Sequence, residues 1–388
     1  MDTNRLSIVV LFVLVAIGSG CSLAAEVQSP AFQPSDLAAT NTSGQATVDS
    51  LVLTHQPSVT PSQTITPTST ITLTPTPTEV VFEVGKELTI DYLRDLEIIG
   101  SEITFEQKLA DRSNYYQHLV SYISEGNKIY GLLTIPFGDP PEGGFKAIIF
   151  NHGYVPPGIY RTTERYDAYV NYLATSGFVV FKIDYRGHGS SEGEPQGSYF
   201  SPGYTIDTIS ALKSLQTLEI IDPQGIGMWG HSMAGNVTLR AMLIDPDIKA
   251  GVIWAGAVYS YDDFAAYGIT DTSYRPPATP EAGETRRRSQ VIFETYGRPD
   301  TSALYWQAVS LTENIEYLSG PLQIHHAEDD TVVSINYSID LAAVLRDAGK
   351  VYEFYTYEGG GHNLISPAFG TAMSRTVEFF REHLGVTD

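Results

Sequence analysis

From residue 146 onward, short apolar runs alternate with helix-like stretches, and this alternation limits the fold more than any other feature of the sequence. The strand-like runs are 146–151, 178–185, 226–229, 250–257, 322–325 and 352–357. Helix-like stretches fall at about 165–175, 204–215, 233–243, 335–347 and 367–383. Runs this short and this apolar suit strands buried on both faces. The pattern therefore predicts an α/β fold, with a mostly parallel sheet and helices on both faces. Ahead of them, 115–123 and 128–135 read as two strands around the turn Ser124-Glu125-Gly126-Asn127. The alternation breaks over 259–319, which holds Pro276-Pro277, the basic patch Arg286-Arg287-Arg288 and the aromatics Tyr296, Tyr305 and Trp306. A helical lid insertion is predicted there. The plainer reading of the three arginines is a solvated helix face, and the sharper one is a contact with an acidic substrate group.

Ser232 occupies the junction of one run and one helix, in Gly230-His231-Ser232-Met233-Ala234-Gly235. An apolar run precedes it and a helix-like stretch follows, the setting of a nucleophile elbow. Small residues two before and two after the serine let backbones cross closely, so the hydroxyl stands exposed on a tight turn. The turn also aims the Met233 N–H, at the helix start, toward a developing oxyanion. Gly189-Ser190-Ser191-Glu192-Gly193 matches the small-x-Ser-x-small pattern more literally, yet it leads into Glu194-Pro195-Gln196-Gly197, which is loop chemistry. Context favours Ser232.

A serine hydroxyl is a weak nucleophile that needs a base, an orienting acid and oxyanion donors. In this fold the acid follows at a later strand end and the histidine in a later loop. His362, after the glycines of Tyr357-Glu358-Gly359-Gly360-Gly361, is the candidate base. Asp329 and Asp330 both follow the 322–325 run; Asp329 is the preferred acid and Asp330 the fallback. His325 and His326 are adjacent, so on a strand they point oppositely, and neither fits a ligand spacing such as H-E-x-x-H. They read as packing or supporting residues, with no metal and no cofactor expected. The loop Asn151-His152-Gly153-Tyr154 offers the Tyr154 N–H as second oxyanion donor, with His152 making a structural hydrogen bond inside the bend.

Acidic residues outnumber basic ones, 45 to 23, for a formal net charge of −22. That argues against a nucleic-acid partner and suits a soluble face in an extracytoplasmic space. At the N-terminus, Arg5, the apolar run 8–17, Gly18-Ser19-Gly20 and the lone Cys21 follow a signal-peptide plan, with the apolar stretch short for a membrane span. Cys21 directly after small residues resembles a bacterial lipoprotein signal, with lipidation of that cysteine expected; the alternative is secretion after Ala24 or Ala25. Residues 1–25 are thus expected to be a leader. Residues 26–79, rich in Ser, Thr and Pro, are expected to be a disordered tether, and 80–388 the globular domain.

Together these runs resemble the α/β-hydrolase fold, and within it the catalytic domain of the prolyl-oligopeptidase family and the neighbouring dienelactone-hydrolase-like esterases. The matching residues are Asn151-His152-Gly153, Asp184-Tyr185-Arg186-Gly187-His188-Gly189, Asp222-Pro223, Gly230-His231-Ser232-Met233, His325 with Asp329-Asp330-Thr331-Val332, and Gly361-His362. The resemblance implies Asp329 as the acid, because the family's carboxylate stands three residues before the valine. It departs at Ala234, where the family has glycine. It departs also in the region ahead of the domain, where the oligopeptidases carry a large β-propeller; this favours esterase over dipeptidyl-peptidase chemistry.

The expectation is a serine hydrolase of the cell envelope, or secreted, cleaving an ester or amide bond of a small molecule or short peptide through an acyl-enzyme. A carboxylesterase without peptidase activity is one alternative. A non-catalytic envelope binding protein on the same fold is another. Any membrane contact would run through lipidated Cys21.

Overall fold

The computed structural model describes residues 81–269 and 280–386. The expected leader, Cys21, the tether and Pro276-Pro277 lie outside the described residues. In chain order the elements are α1 (Ile90–Asp95), β1 (Thr104–Lys108), β2 (Tyr115–Ser124), β3 (Asn127–Pro136), β4 (Phe145–Asn151), α2 (Asp167–Thr175), β5 (Val179–Ile183), α3 (Gly203–Leu215), β6 (Ile221–His231) and α4 (Met233–Ile244). They continue with β7 (Gly251–Trp254), α5 (Tyr261–Tyr267), α6 (Pro280–Tyr296), α7 (Leu304–Val309), β8 (Leu322–Ala327), α8 (Asn336–Asp347), β9 (Tyr352–Tyr357) and α9 (Ala368–Leu384).

The strands form one sheet in the order β1-β2-β3-β5-β4-β6-β7-β8-β9. The β1–β2, β2–β3 and β3–β5 pairs are antiparallel, and every pair from β5–β4 to β8–β9 is parallel. Alternation of side chains divides the core between two faces. Ala147 and Ile149 of β4, with Val179, Phe181 and Ile183 of β5, pack with α3, α4 and α8. Ile148, Phe150 and Val180 point the other way and pack with α2 and α9. With helices on both sides, β5 is buried at every position, which is why it reads as an unbroken apolar run.

The parallel strands align their carboxyl ends. Asn151 pairs with Gly230, His231 with Trp254, and Trp254 with His325. The loops that follow β4, β6, β8 and β9 therefore open at one edge of the sheet, where ligands bind in open α/β folds.

Two elements carry little sequence signal. Strand β1 is exposed along its whole length and shows no apolar alternation, and α1 is too short for a helical period to stand out. Strand β7 ends sooner than the run 250–257 suggests. Ala255 and Val258 have φ of 46° and 60°, which turns the chain out of the sheet. The 259–319 stretch is helical in its described parts. Its aromatic core (Tyr261, Ile292, Tyr305, Trp306) packs with Leu88 and Phe200.

Candidate active site

Strand β6 delivers Ser232 at its carboxyl end. The residue has φ 58° and ψ −123°, a conformation a serine adopts only when its surroundings hold it. Its N–H donates to the Trp254 carbonyl at 2.9 Å, and its own carbonyl accepts the Gly235 N–H at 2.9 Å. Gly230 makes the turn possible: a Cβ there would lie 2.5 Å from the Ala234 carbonyl oxygen. That close approach is to the backbone of residue 234, so Ala234 serves as well as glycine. Helix α4 begins at Met233, whose N–H belongs to the first turn and has no acceptor within the helix.

Ser232 and His362, far apart in the sequence, are brought together at the strand ends. His362 Nε2 is 2.8 Å from Ser232 Oγ. On its other side, His362 Nδ1 is 2.8 Å from Asp330 Oδ2. The carboxylate against the imidazole is thus that of Asp330, the fallback, and not that of Asp329, the preferred acid, a correction to the expected placement. Asp329 is exposed, and its Oδ1 accepts the Gly361 N–H at 2.8 Å, so it braces the histidine loop without reaching the imidazole. After β8 ends, a turn closed by the Asp330 N–H on the Ala327 carbonyl (3.2 Å) swings the Asp330 side chain inward, where it is completely buried.

The electrostatics match that placement. Burial by itself would raise the Asp330 carboxyl, but hydrogen bonds from His326, His362 and the Val333 N–H outweigh it. They hold the group well below the ordinary carboxylate range, so it is ionised beside His362. Asp330 Oδ1 accepts the Val332 and Val333 N–H groups at 2.8 and 3.0 Å.

His326, one of the two histidines read as packing or supporting residues, lies against this carboxylate. Its Nε2 stands 3.2 Å from Asp330 Oδ2, while His325 points to the other face, against Tyr357 and Gln323. Among the described residues, no group of three or more His, Cys, Asp or Glu side chains is placed to hold a metal ion.

The loop after β4 lies against the elbow. A Cβ on Gly153 would be 3.0 Å from the His231 carbonyl oxygen, tighter than an ordinary contact, so glycine eases the close approach of the two backbones. The Gly153 N–H is taken by the Tyr166 hydroxyl oxygen at 2.9 Å. Its carbonyl accepts the His152 Nδ1–H at 2.7 Å, the structural bond expected of His152. Tyr154 follows, with its side chain exposed. The rival serine is structural: Ser191 Oγ accepts the Tyr130 N–H at 2.9 Å in a turn that leads to no helix. Arg287 and Arg288 line a groove of about 460 Å³ with Val84, Phe200 and Ile292, and neither Ser232 nor His362 is in its lining.

Residues 164–387, more than half of the chain, match the prolyl oligopeptidase family. The human protein ABHD12B is 25% identical over 213 residues, covering 53% of this chain and 51% of that protein. This chain thus spans about half the length of that relative. Among solved structures, the acetyl xylan esterase of Paenibacillus sp. R4 superposes with a TM-score of 0.55 at 18% identity, covering 74% of this chain and 91% of the esterase. Porphyromonas gingivalis dipeptidyl peptidase 4 gives a TM-score of 0.52 at 18% identity, covering 70% of this chain and 36% of the peptidase. These likenesses show the α/β-hydrolase fold. Joined to the serine elbow and the matched stretch, they make this chain a member of the prolyl oligopeptidase family.

Proposed function

We propose that this protein is a serine hydrolase that cleaves an ester or amide bond through an acyl-enzyme. One observation carries the reading: Ser232 Oγ, His362 and Asp330 form an unbroken line of contacts, each 2.8 Å long. Ser232 attacks the substrate carbonyl as its proton passes to His362 Nε2, and Asp330 holds the imidazole by Nδ1–H and stabilises the imidazolium. In this reading the Met233 N–H, in the first turn of α4, and the Tyr154 N–H, in the loop after β4, bind the oxyanion. His362 then returns the proton to the leaving group, and water repeats the sequence to release the acid.

The insertion leaves the sheet beside this centre. Asn236 of α4 donates to the Val258 carbonyl at 2.5 Å, and Leu311 N–H donates to the Tyr259 carbonyl at 2.7 Å, so both ends of the insertion are tied beside the nucleophile helix. That supports its reading as a lid over the acyl group. The N-terminal pattern supports an extracytoplasmic protein anchored by lipidated Cys21. Loss of membrane association in a Cys21→Ala variant would test the anchor.

The reaction is tested by a fluorophosphonate probe and by p-nitrophenyl esters set against peptide p-nitroanilides. Wild type should label and hydrolyse, and Ser232→Ala should do neither. Absence of labelling in folded wild type would overturn the reading and favour a binding protein on this fold. Turnover of esters alone would make it a carboxylesterase.

A further inference from the structure

His231, directly before Ser232, joins three loops through its imidazole. Its Nε2 is 2.8 Å from the His362 carbonyl oxygen, and its Nδ1 is 2.8 Å from the Tyr166 hydroxyl oxygen. A carbonyl only accepts, so the proton resides on Nε2, and Nδ1 accepts the Tyr166 O–H. The Tyr166 oxygen in turn accepts the Gly153 N–H at 2.9 Å. A continuous chain of hydrogen bonds thus runs from the loop after β4, through the elbow, to the backbone of the residue that bears the base.

Tyr166 is built for this position. It caps the start of α2 with φ 63°, a left-handed conformation that a tyrosine keeps only when its contacts hold it. One turn later Tyr169 donates its O–H to the Asn363 carbonyl at 2.6 Å. The start of α2 therefore secures two consecutive carbonyls of the histidine loop, one directly and one through His231.

We propose that His231, oriented by Tyr166, is the positioning residue that keeps the His362 loop in register with the nucleophile elbow. The inference rests on the hydrolase reading above. A neutral ring suits the role: it keeps one proton on Nε2 and places no second charge beside His362 when that imidazole is protonated. The rings of His231 and His362 are 4.7 Å apart, and Trp229 and Tyr166 pack against His231 from β6 and α2. Burial, reinforced by His362, lowers His231 to about 3, with Asp330 and His326 the other ionisable groups that bear on it.

Two amide substitutions separate positioning from packing. A glutamine amide nitrogen falls near the site of histidine Nε2, whereas an asparagine amide falls near Nδ1. His231→Gln should keep kcat within about tenfold of wild type, while His231→Asn should lose roughly a hundredfold in kcat with KM little changed. Fluorophosphonate labelling rates should follow the same order. Equal losses in the two variants, or a loss confined to KM, would overturn the proposal.

Nitrogen-15 histidine NMR on wild type gives a readout that needs neither turnover nor a folded variant. His231 should stay neutral, with its proton on Nε2, from about pH 5 to pH 9. A His231 that titrates near the ordinary value of about 6.5, or carries its proton on Nδ1, would sink the proposal whatever the enzyme does. A wild type that neither labels nor hydrolyses would count against the hydrolase reading instead.

Discussion

His326 Nε2 lies 3.2 Å from Asp330 Oδ2, the oxygen that also receives His362 Nδ1 at 2.8 Å. The same His326 nitrogen is 3.1 Å from the Val333 carbonyl, and His326 Nδ1 is 2.7 Å from the Ser338 hydroxyl. The carbonyl requires a proton on Nε2, so His326 donates toward the acid and Ser338 donates to Nδ1. The carboxylate is thereby held by one histidine from β8, one from the loop after β9 and two backbone amides, and only one of those partners touches the nucleophile.

Asp330→Asn should lower kcat about ten-thousandfold, because an amide cannot stabilise the imidazolium and favours the wrong histidine tautomer. Asp329→Asn keeps an acceptor oxygen for the Gly361 N–H and should stay within roughly tenfold of wild type. Steady-state hydrolysis of one p-nitrophenyl ester compares both. A reversed order would restore Asp329 as the acid.

Acid should destabilise the protein partly through Asp330. Its folded value lies below the unfolded value of about 3.9, so the unfolded chain takes up the proton first. The stabilisation is complete above the unfolded value and is lost as pH falls through the folded one. Denaturant midpoints at about pH 5.5 and pH 3.5 should therefore drop more in wild type than in Asp330→Asn. Parallel drops would show that the carboxylate contributes nothing to the acid limb.

Asp184 should act in the opposite sense. Burial pushes it up to about 7, against hydrogen bonds from Thr162 and Tyr160 and the nearby Lys182 charge. The folded protein keeps this proton after the unfolded chain has released it, so stability falls as pH rises from about 4 to about 7. Asp184→Asn removes that fall. The stability advantage of wild type over the variant should shrink between pH 4 and pH 7, and a constant difference would contradict a neutral carboxyl.

Gly153→Ala should separate the loop after β4 from the elbow. The added Cβ would lie 2.7 Å from the Tyr166 hydroxyl oxygen and 3.0 Å from the His231 carbonyl oxygen, so one of them must move. A stability loss of about 1–3 kcal/mol and a roughly hundredfold fall in kcat are expected. Circular dichroism with steady-state kinetics would check both. Unchanged kcat would mean that this loop supplies no oxyanion donor.

Much of this architecture is legible without coordinates. The runs at 146–151 and 322–325 lie within β4 and β8, and the helix after Ser232 begins at Met233, because buried parallel strands must be apolar on both faces and helices must fill the intervals. The elbow is readable too, since close backbone crossing demands small residues at fixed offsets. The acid is not. His325-His326, Asp329-Asp330 and Val332-Val333 are three doublets, so the spacing of histidine, aspartate and valine fits equally well in two frames one residue apart. A shift of one residue on a strand exchanges the two faces, and nothing local to the chain prefers either. The choice falls to packing: β8 turns His325 toward Tyr357 and His326 toward Ser338 on α8, and the turn after Ala327 buries Asp330 while leaving Asp329 in solvent. Tyr166 and His231 escape notice for a related reason. Their hydrogen bonds link residues 65 and 131 positions apart, and a contact over that distance exists only once the sheet has brought its strand ends to one edge.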